Sequence, residues 1–161
     1  MYRFLPFVLA ISFASAAHAG ENKPRFALGY AFANYMEDYG GNAPLGLFFA
    51  VQGLEDISIK GELAYHRDSD DYFTLNTFTG MVGPVLNFSS GDAQPFIHLL
   101  VGGREDRVEG EGNFAIGGEL GAGVDLAINP TTFIRPGIDY QIFTDDGFTL
   151  NVLRLSVGIA W

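Results

Sequence analysis

The sequence predicts an all-β chain, an eight-stranded antiparallel up-and-down barrel that crosses a membrane. Three observations predict it. Apolar residues recur with period two, not 3.6, in eight successive runs separated by turn signals. No stretch after residue 20 is long and apolar enough to be a membrane helix, which needs about 20 residues. The two faces of each run also differ in an unusual way: one carries Leu, Ile and Phe, the other Gly, Ala or charge.

The first 20 residues stand apart. Arg3 supplies a positive start, residues 4–14 are apolar apart from Pro6 and Ser12, and Ala17-His18-Ala19 is an A-x-A cleavage signature. This pattern reads as a secretory signal peptide over 1–19, with a barrel domain over 20–161; as an anchor the apolar run is too short. Arg3 is the only Lys, Arg, Asp or Glu that cleavage removes, so a net charge of −10 becomes about −11. Such a chain does not favour nucleic acid. It holds no cysteine, which excludes disulfides, thiolate metal sites and cysteine nucleophiles. Aromatics are 14% and glycines number 21, a composition more suited to a barrel than to an ordinary soluble domain.

The eight runs cover 25–35, 44–53, 57–66, 72–88, 95–104, 113–128, 132–143 and 148–161. In the first, Phe26, Leu28, Tyr30 and Phe32 oppose Arg25, Ala27, Gly29 and Ala31. In the third, Ile57, Ile59, Leu63 and Tyr65 oppose Lys60, Glu62, Ala64 and His66. The sixth sets Ile116, Leu120, Val124, Leu126 and Ile128 against Gly117, Glu119, Gly121, Gly123 and Asp125. The seventh sets Ile134, Ile138, Tyr140 and Ile142 against Arg135, Gly137, Asp139 and Gln141. The last sets Leu153, Leu155, Val157, Ile159 and Trp161 against Arg154, Ser156, Gly158 and Ala160. In a soluble sandwich the second face would meet water and be rich in Thr, Lys, Ser and Glu. Small residues instead suit a crowded, narrow lumen, with the apolar face turned to lipid. Tyr30, Phe32, Tyr65, Tyr72, Phe88, Phe96, Phe133, Tyr140 and Trp161 fall near strand ends, where aromatic rings favour the membrane interface, with the lumen as the alternative place for some of them.

The same alternation collects Arg25, Lys60, Arg135 and Arg154 in the interior with Glu62, Glu119, Asp125 and Asp139. Four cations against four anions is balanced although the chain is strongly acidic. Buried charges must pair, so these eight read as a polar plug; wide aqueous channels belong to barrels of about 16 strands. The connections at 53–56, 89–94 and 129–131 are short. Those at 36–43, 67–71, 105–112 and 144–147 are mostly longer or more acidic and are expected outside the cell. Glu37, Asp38, Asp68, Asp70, Asp71, Glu105, Asp106, Glu109, Glu111, Asp145 and Asp146 lie there or at their edges. Carboxylates suit Ca²⁺ or Mg²⁺, which would bridge to lipopolysaccharide phosphates, but none of these loops has the ligand spacing of an EF-hand. They read as a solvated, repulsive surface, and no metal site or cofactor is expected.

Three segments carry a family resemblance: TFTGMVGP at 77–84, PFIHLLVGG at 95–103 and LRLSVGIAW at 153–161. They resemble the fourth, fifth and closing strands of small bacterial outer-membrane β-barrels of the OmpA/OmpX-like kind. The resemblance implies a monomer in the outer membrane, in contact with its lipid and lipopolysaccharide. It also implies that Leu153, Leu155, Val157, Ile159 and Trp161 form the signal read by the barrel assembly machinery; many members end in Phe, so Trp161 is a mild departure. Barrels of this shape include lipid A deacylases and palmitoyl transferases. A deacylase would show a Ser two residues after its His; His98 is followed at that spacing by Leu100, and His66 lies beside Arg67 and Asp68. Neither histidine stands in a catalytic arrangement, so no catalytic residue is expected. His98 reads as a lumen histidine and His66 as a loop-edge one. The function expected is a structural or surface-interaction role at the cell envelope, with a lipid A-modifying enzyme or a narrow small-solute pore as alternatives.

Overall fold

Strands of this chain must satisfy every backbone N–H and C=O without water on the outside, and a sheet achieves this only by closing on itself. The protein does so. The structure, a computed structural model, describes residues 24–36, 42–69, 74–88, 91–108, 111–145 and 147–161. The eight strands are β1 (Arg25–Tyr35), β2 (Asn42–Gln52), β3 (Ile57–Ser69), β4 (Thr74–Asn87), β5 (Ala93–Val108), β6 (Glu111–Asn129), β7 (Thr132–Asp145) and β8 (Phe148–Ala160). Each pairs antiparallel with the next, and β1 pairs with β8 from Ala27↔Ala160 to Tyr35↔Val152. Phe26 and Trp161 exchange two backbone hydrogen bonds of 2.9 Å that extend this seam to the last residue. The signal segment 1–19 lies outside the described residues.

Burial is inverted relative to a soluble protein. Ile57, Val101 and Leu120 are 70%, 62% and 61% exposed, while Glu119, Asp125 and Arg154 are each 1% exposed. The exposed apolar side chains come from all eight strands. A closed belt of that extent is far larger than the apolar patches soluble monomers expose, and hydrocarbon is the solvent that suits it. Inside, Ala27, Ala31, Ala50, Ala64 and Ala160 pack with Phe48 and Phe133 towards one end. Ala33, Met81, Leu100, Phe143 and Val152 pack together towards the other.

One expectation needs correction and a second is refined. The hairpins β3–β4, β5–β6 and β7–β8 run further than the sequence pattern predicts. Ladder pairs continue to Ser69↔Thr74, Val108↔Glu111 and Asp145↔Phe148, so Asp68, Glu105, Asp106, Glu111 and Asp145 lie in strands, not loops. Charge ends the apolar alternation without ending the hydrogen-bonded ladder: Arg107 Nε donates to Glu105 Oε1 at 2.9 Å and Arg104 Nε to Asp106 Oδ2 at 2.8 Å along their own strand. Glu37, Asp38, Asp70, Asp71, Tyr72, Glu109 and Asp146 lie outside the described residues. The second point refines the aromatic set: Phe96 and Phe133 take the lumen alternative and are buried there rather than set at the interface. There they serve as faces for arginine side chains.

Candidate functional site: the charged lumen

Alternation along each strand turns the charged residues inward, and the closure of the barrel sets them against one another in three tiers. The first tier lies at the end of the barrel where β1 begins and β8 ends. Asp125 of β6 accepts from Arg135 of β7 through Nε at 2.6 Å and Nη2 at 2.7 Å, and from Arg25 Nη1 of β1 at 2.7 Å. Arg25 also donates to Gln94 of β5 at 2.8 Å. Its guanidinium lies 3.7 Å above the Phe133 ring, and that of Arg135 lies 4.9 Å from Phe96. One carboxylate thus holds two arginines, whose residual charge rests on aromatic faces.

The middle tier is centred on Arg154 of β8. It donates to Asp139 through Nε at 2.9 Å and Nη2 at 2.8 Å. It also pairs with Glu62 across the lumen on β3 and lies 3.4 Å from Glu119. Lys60 pairs with Glu62 at 2.9 Å. His98 Nε2 lies 2.8 Å from Glu119 Oε1 and 3.2 Å from Asp139 Oδ1, so Nε2 carries a proton shared between two carboxylates. Gln141 completes Glu119 with a 2.6 Å bond to Oε2. Gly121 makes the tier possible: a Cβ there would stand 2.1 Å from Asp139 Oδ1 and 2.4 Å from His98 Nε2.

The third tier was not legible in the alternation-based set. Arg104 of β5 binds Asp106 on its own strand and reaches the Tyr35 hydroxyl on β1 at 3.0 Å. Thr77 donates to the other Asp106 oxygen at 2.5 Å. Arg104 also lies over Tyr35 at 4.9 Å and Phe143 at 5.6 Å. His66 belongs near this level. It is buried rather than at a loop edge, because β3 continues past it, and its ring occupies space that a Cβ at Gly46 would invade, 2.1 Å from Cδ2.

The structure therefore places all eight sequence-derived lumen residues inside and in contact: Arg25, Asp125 and Arg135 in one tier, Lys60, Glu62, Glu119, Asp139 and Arg154 in the next. Sequence reasoning missed Arg104 and Asp106; continuing the β5 alternation from His98 through Leu100 and Gly102 would have found them. His98, Glu119 and Asp139 bring three ligand-type atoms within 4.8 Å of one another. A divalent cation there would meet Arg154 on both carboxylates and Lys60 Nζ 3.5 Å from both ring nitrogens. The donor set is already neutralised and does not fit a metal. Nor does it fit acyl transfer: His98 is spent as a bridge between acids, and Leu100 stands where a serine would be needed. The last segment, Leu153, Leu155, Val157, Ile159 and Trp161, lies along β8 and the residue that follows it, on the outer face.

No protein-family model matches the chain, and no curated protein matches it in sequence. Solved structures do match in shape. Neisserial surface protein A superposes with a TM-score of 0.67 at 14% identity, covering 85% of this chain and 94% of that one. Ail, the attachment invasion locus protein of Yersinia pestis, in complex with the heparin analogue sucrose octasulfate, gives 0.63 at 18%, covering 88% and 100%. The chain has the fold of the small bacterial outer-membrane β-barrels. The outer membrane enzyme PagL shares this barrel, with a TM-score of 0.55 at 13% identity over 83% of this chain and 97% of that one. The outer-membrane barrel is thus a common scaffold, and its shape alone does not assign a role.

Proposed function

We propose that this outer-membrane barrel has a structural or surface-interaction role at the cell envelope and is neither a pore nor an enzyme. The observation that carries the reading is the bracing of the lumen at three levels by side chains that cross it: Arg25 to Asp125 and Gln94, Arg154 to Glu62, and Arg104 to Tyr35. A solute would have to break buried ion pairs at two levels, each costing several kcal/mol (~3–5 for a single broken pair), and the Arg104–Tyr35 contact at the third. The hairpin end faces the exterior and the short turns the periplasm, with the barrel a monomer among lipid and lipopolysaccharide. The outer face of β8 and Trp161 serve as the segment read by the assembly machinery.

The test is two assays on the folded protein. Planar bilayers should show no discrete conductance, and incubation with lipopolysaccharide should release or transfer no acyl chain detectable by mass spectrometry. Steady unitary currents would establish a pore, and acyl release an enzyme; either result removes the proposal.

A further inference from the structure

Past the third tier the strands run on, and their lumen side becomes apolar again where water would be expected. Thr77 and Arg104 are buried in the lumen, and the ladders beyond them keep their register. Alternation therefore turns Leu75 and Val108 to the same side. The pairing sets Asp68, Leu75, Val108 and Glu111 in one row across β3–β6. On the other hairpin, buried Phe143 pairs with Leu150, and two residues further Asp145 pairs with Phe148, again on the lumen side. Val108 is 39% exposed and Phe148 44%, although both face away from the lipid belt.

This mouth has an apolar wall, an apolar floor and an acidic edge. The floor is the cluster of Phe143 and Val152, on which Tyr35 and Leu150 pack half-buried. The charges at this end divide by face. On the outer side Glu105 pairs with Arg107, and Arg67 is a second cation. On the lumen side Asp106 is held by Arg104 and by Thr77. The other three carboxylates of that side, Asp68, Glu111 and Asp145, pair with no cation among the described residues; Asp145 accepts only from Asn113, at 2.5 Å.

We propose that this mouth binds a small amphipathic organic cation, an alkyl or aryl chain bearing one ammonium group. The chain lies on Leu75, Val108, Leu150 and Phe148, and the ammonium sits among Asp68, Glu111 and Asp145. Two complementarities choose this occupant. Exposed apolar side chains gain from contact with an apolar chain, and unpaired carboxylates attract a positive head. The Phe148 ring offers a further face to an ammonium. Orientation follows from Arg104, buried beneath the floor: its charge repels the head, so the chain points inward and the head outward. An anion of the same shape would meet three carboxylates, and a cation without a chain would leave the wall uncovered.

The test uses the full barrel folded in phosphatidylcholine nanodiscs, with backbone amide shifts followed by NMR at low salt. The probe is hexyltrimethylammonium. Hexanesulfonate, with the same chain and opposite charge, and tetramethylammonium, with the same head and no chain, are the controls. Saturable shifts at Leu75, Val108, Phe148 and Leu150 are expected with the probe, and binding at least about tenfold weaker with either control. Val108→Ser/Phe148→Ser should weaken probe binding by about tenfold, through lost apolar contact. Asp68→Asn/Glu111→Gln/Asp145→Asn should weaken it by a similar factor and abolish its dependence on salt. All five side chains lie outside the packed lumen, and heat-dependent migration in SDS verifies that both variants are folded. Equal binding of hexanesulfonate and hexyltrimethylammonium, shifts confined to the lipid-facing side, or either variant binding the probe like the parent overturns the proposal.

Discussion

Arg154 is 1% exposed and touches Asp139, Glu119 and Glu62. Removing it leaves three carboxylates facing Lys60 and His98 alone. Arg154→Met should therefore destabilise the barrel by about 3–5 kcal/mol, the usual cost of stranding buried charge; urea titration of vesicle-folded protein reads this directly, and a loss under 1 kcal/mol would show that the network contributes little. Gly121→Ala tests the same tier from the backbone. Its Cβ meets Asp139 and His98, so a loss of about 1–3 kcal/mol is expected from overpacking. Much of this chemistry was legible, because a period of two fixes which side each charge takes and a balanced set of signs points to mutual pairing. Partner choice was not. That Arg25 of β1 meets Asp125 of β6, 100 residues away, depends on which strands face each other across the lumen. Asp106 was hidden because its strand continues after its apolar pattern stops; Arg104, the last residue of the fifth run, was hidden because the glycines Gly102 and Gly103 before it blur the two faces.

At the scale of the strand, the sign of the outer face decides energetics. Leu120, midway along β6, is 61% exposed. Leu120→Arg should cost about 2–4 kcal/mol in a bilayer, while Phe114→Arg, nearer the hairpin end, should cost about 0–1. Folding equilibria of both variants in lipid vesicles measure the difference, and equal costs would deny a depth-dependent hydrocarbon contact. The closing strand makes a separate prediction. Val157→Asn/Ile159→Asn on its outer face should slow insertion catalysed by the assembly machinery more than the same pair of changes at Leu28 and Tyr30 on β1. Comparable slowing would show a general loss of apolarity rather than a signal in β8. Strand identity was legible for all eight elements, and β1 ends where its pattern does. The ends of β3, β5 and β7 were not, since charged hairpin residues keep backbone pairing while breaking alternation.

For the whole molecule, closure couples every strand to its neighbours and the three tiers tie opposite walls together. Such a barrel should resist SDS until heated and change its electrophoretic mobility on boiling; a protein that migrates identically before and after boiling would lack that cooperative closure. The global shape was legible because small, apolar and charged residues were sorted so sharply between faces. The identity of the solvent outside was the step that depended on the whole. Trp161 is the only tryptophan, which makes a direct test simple. In a Trp161→Phe background, Leu120→Trp and Gln141→Trp place a fluorophore outside and inside at nearby levels, and folding is in lipids brominated near mid-chain. Strong quenching of the first and little of the second is the predicted result. Little quenching at position 120, or equal quenching at both, would contradict the assignment of the Leu, Ile and Phe face to hydrocarbon.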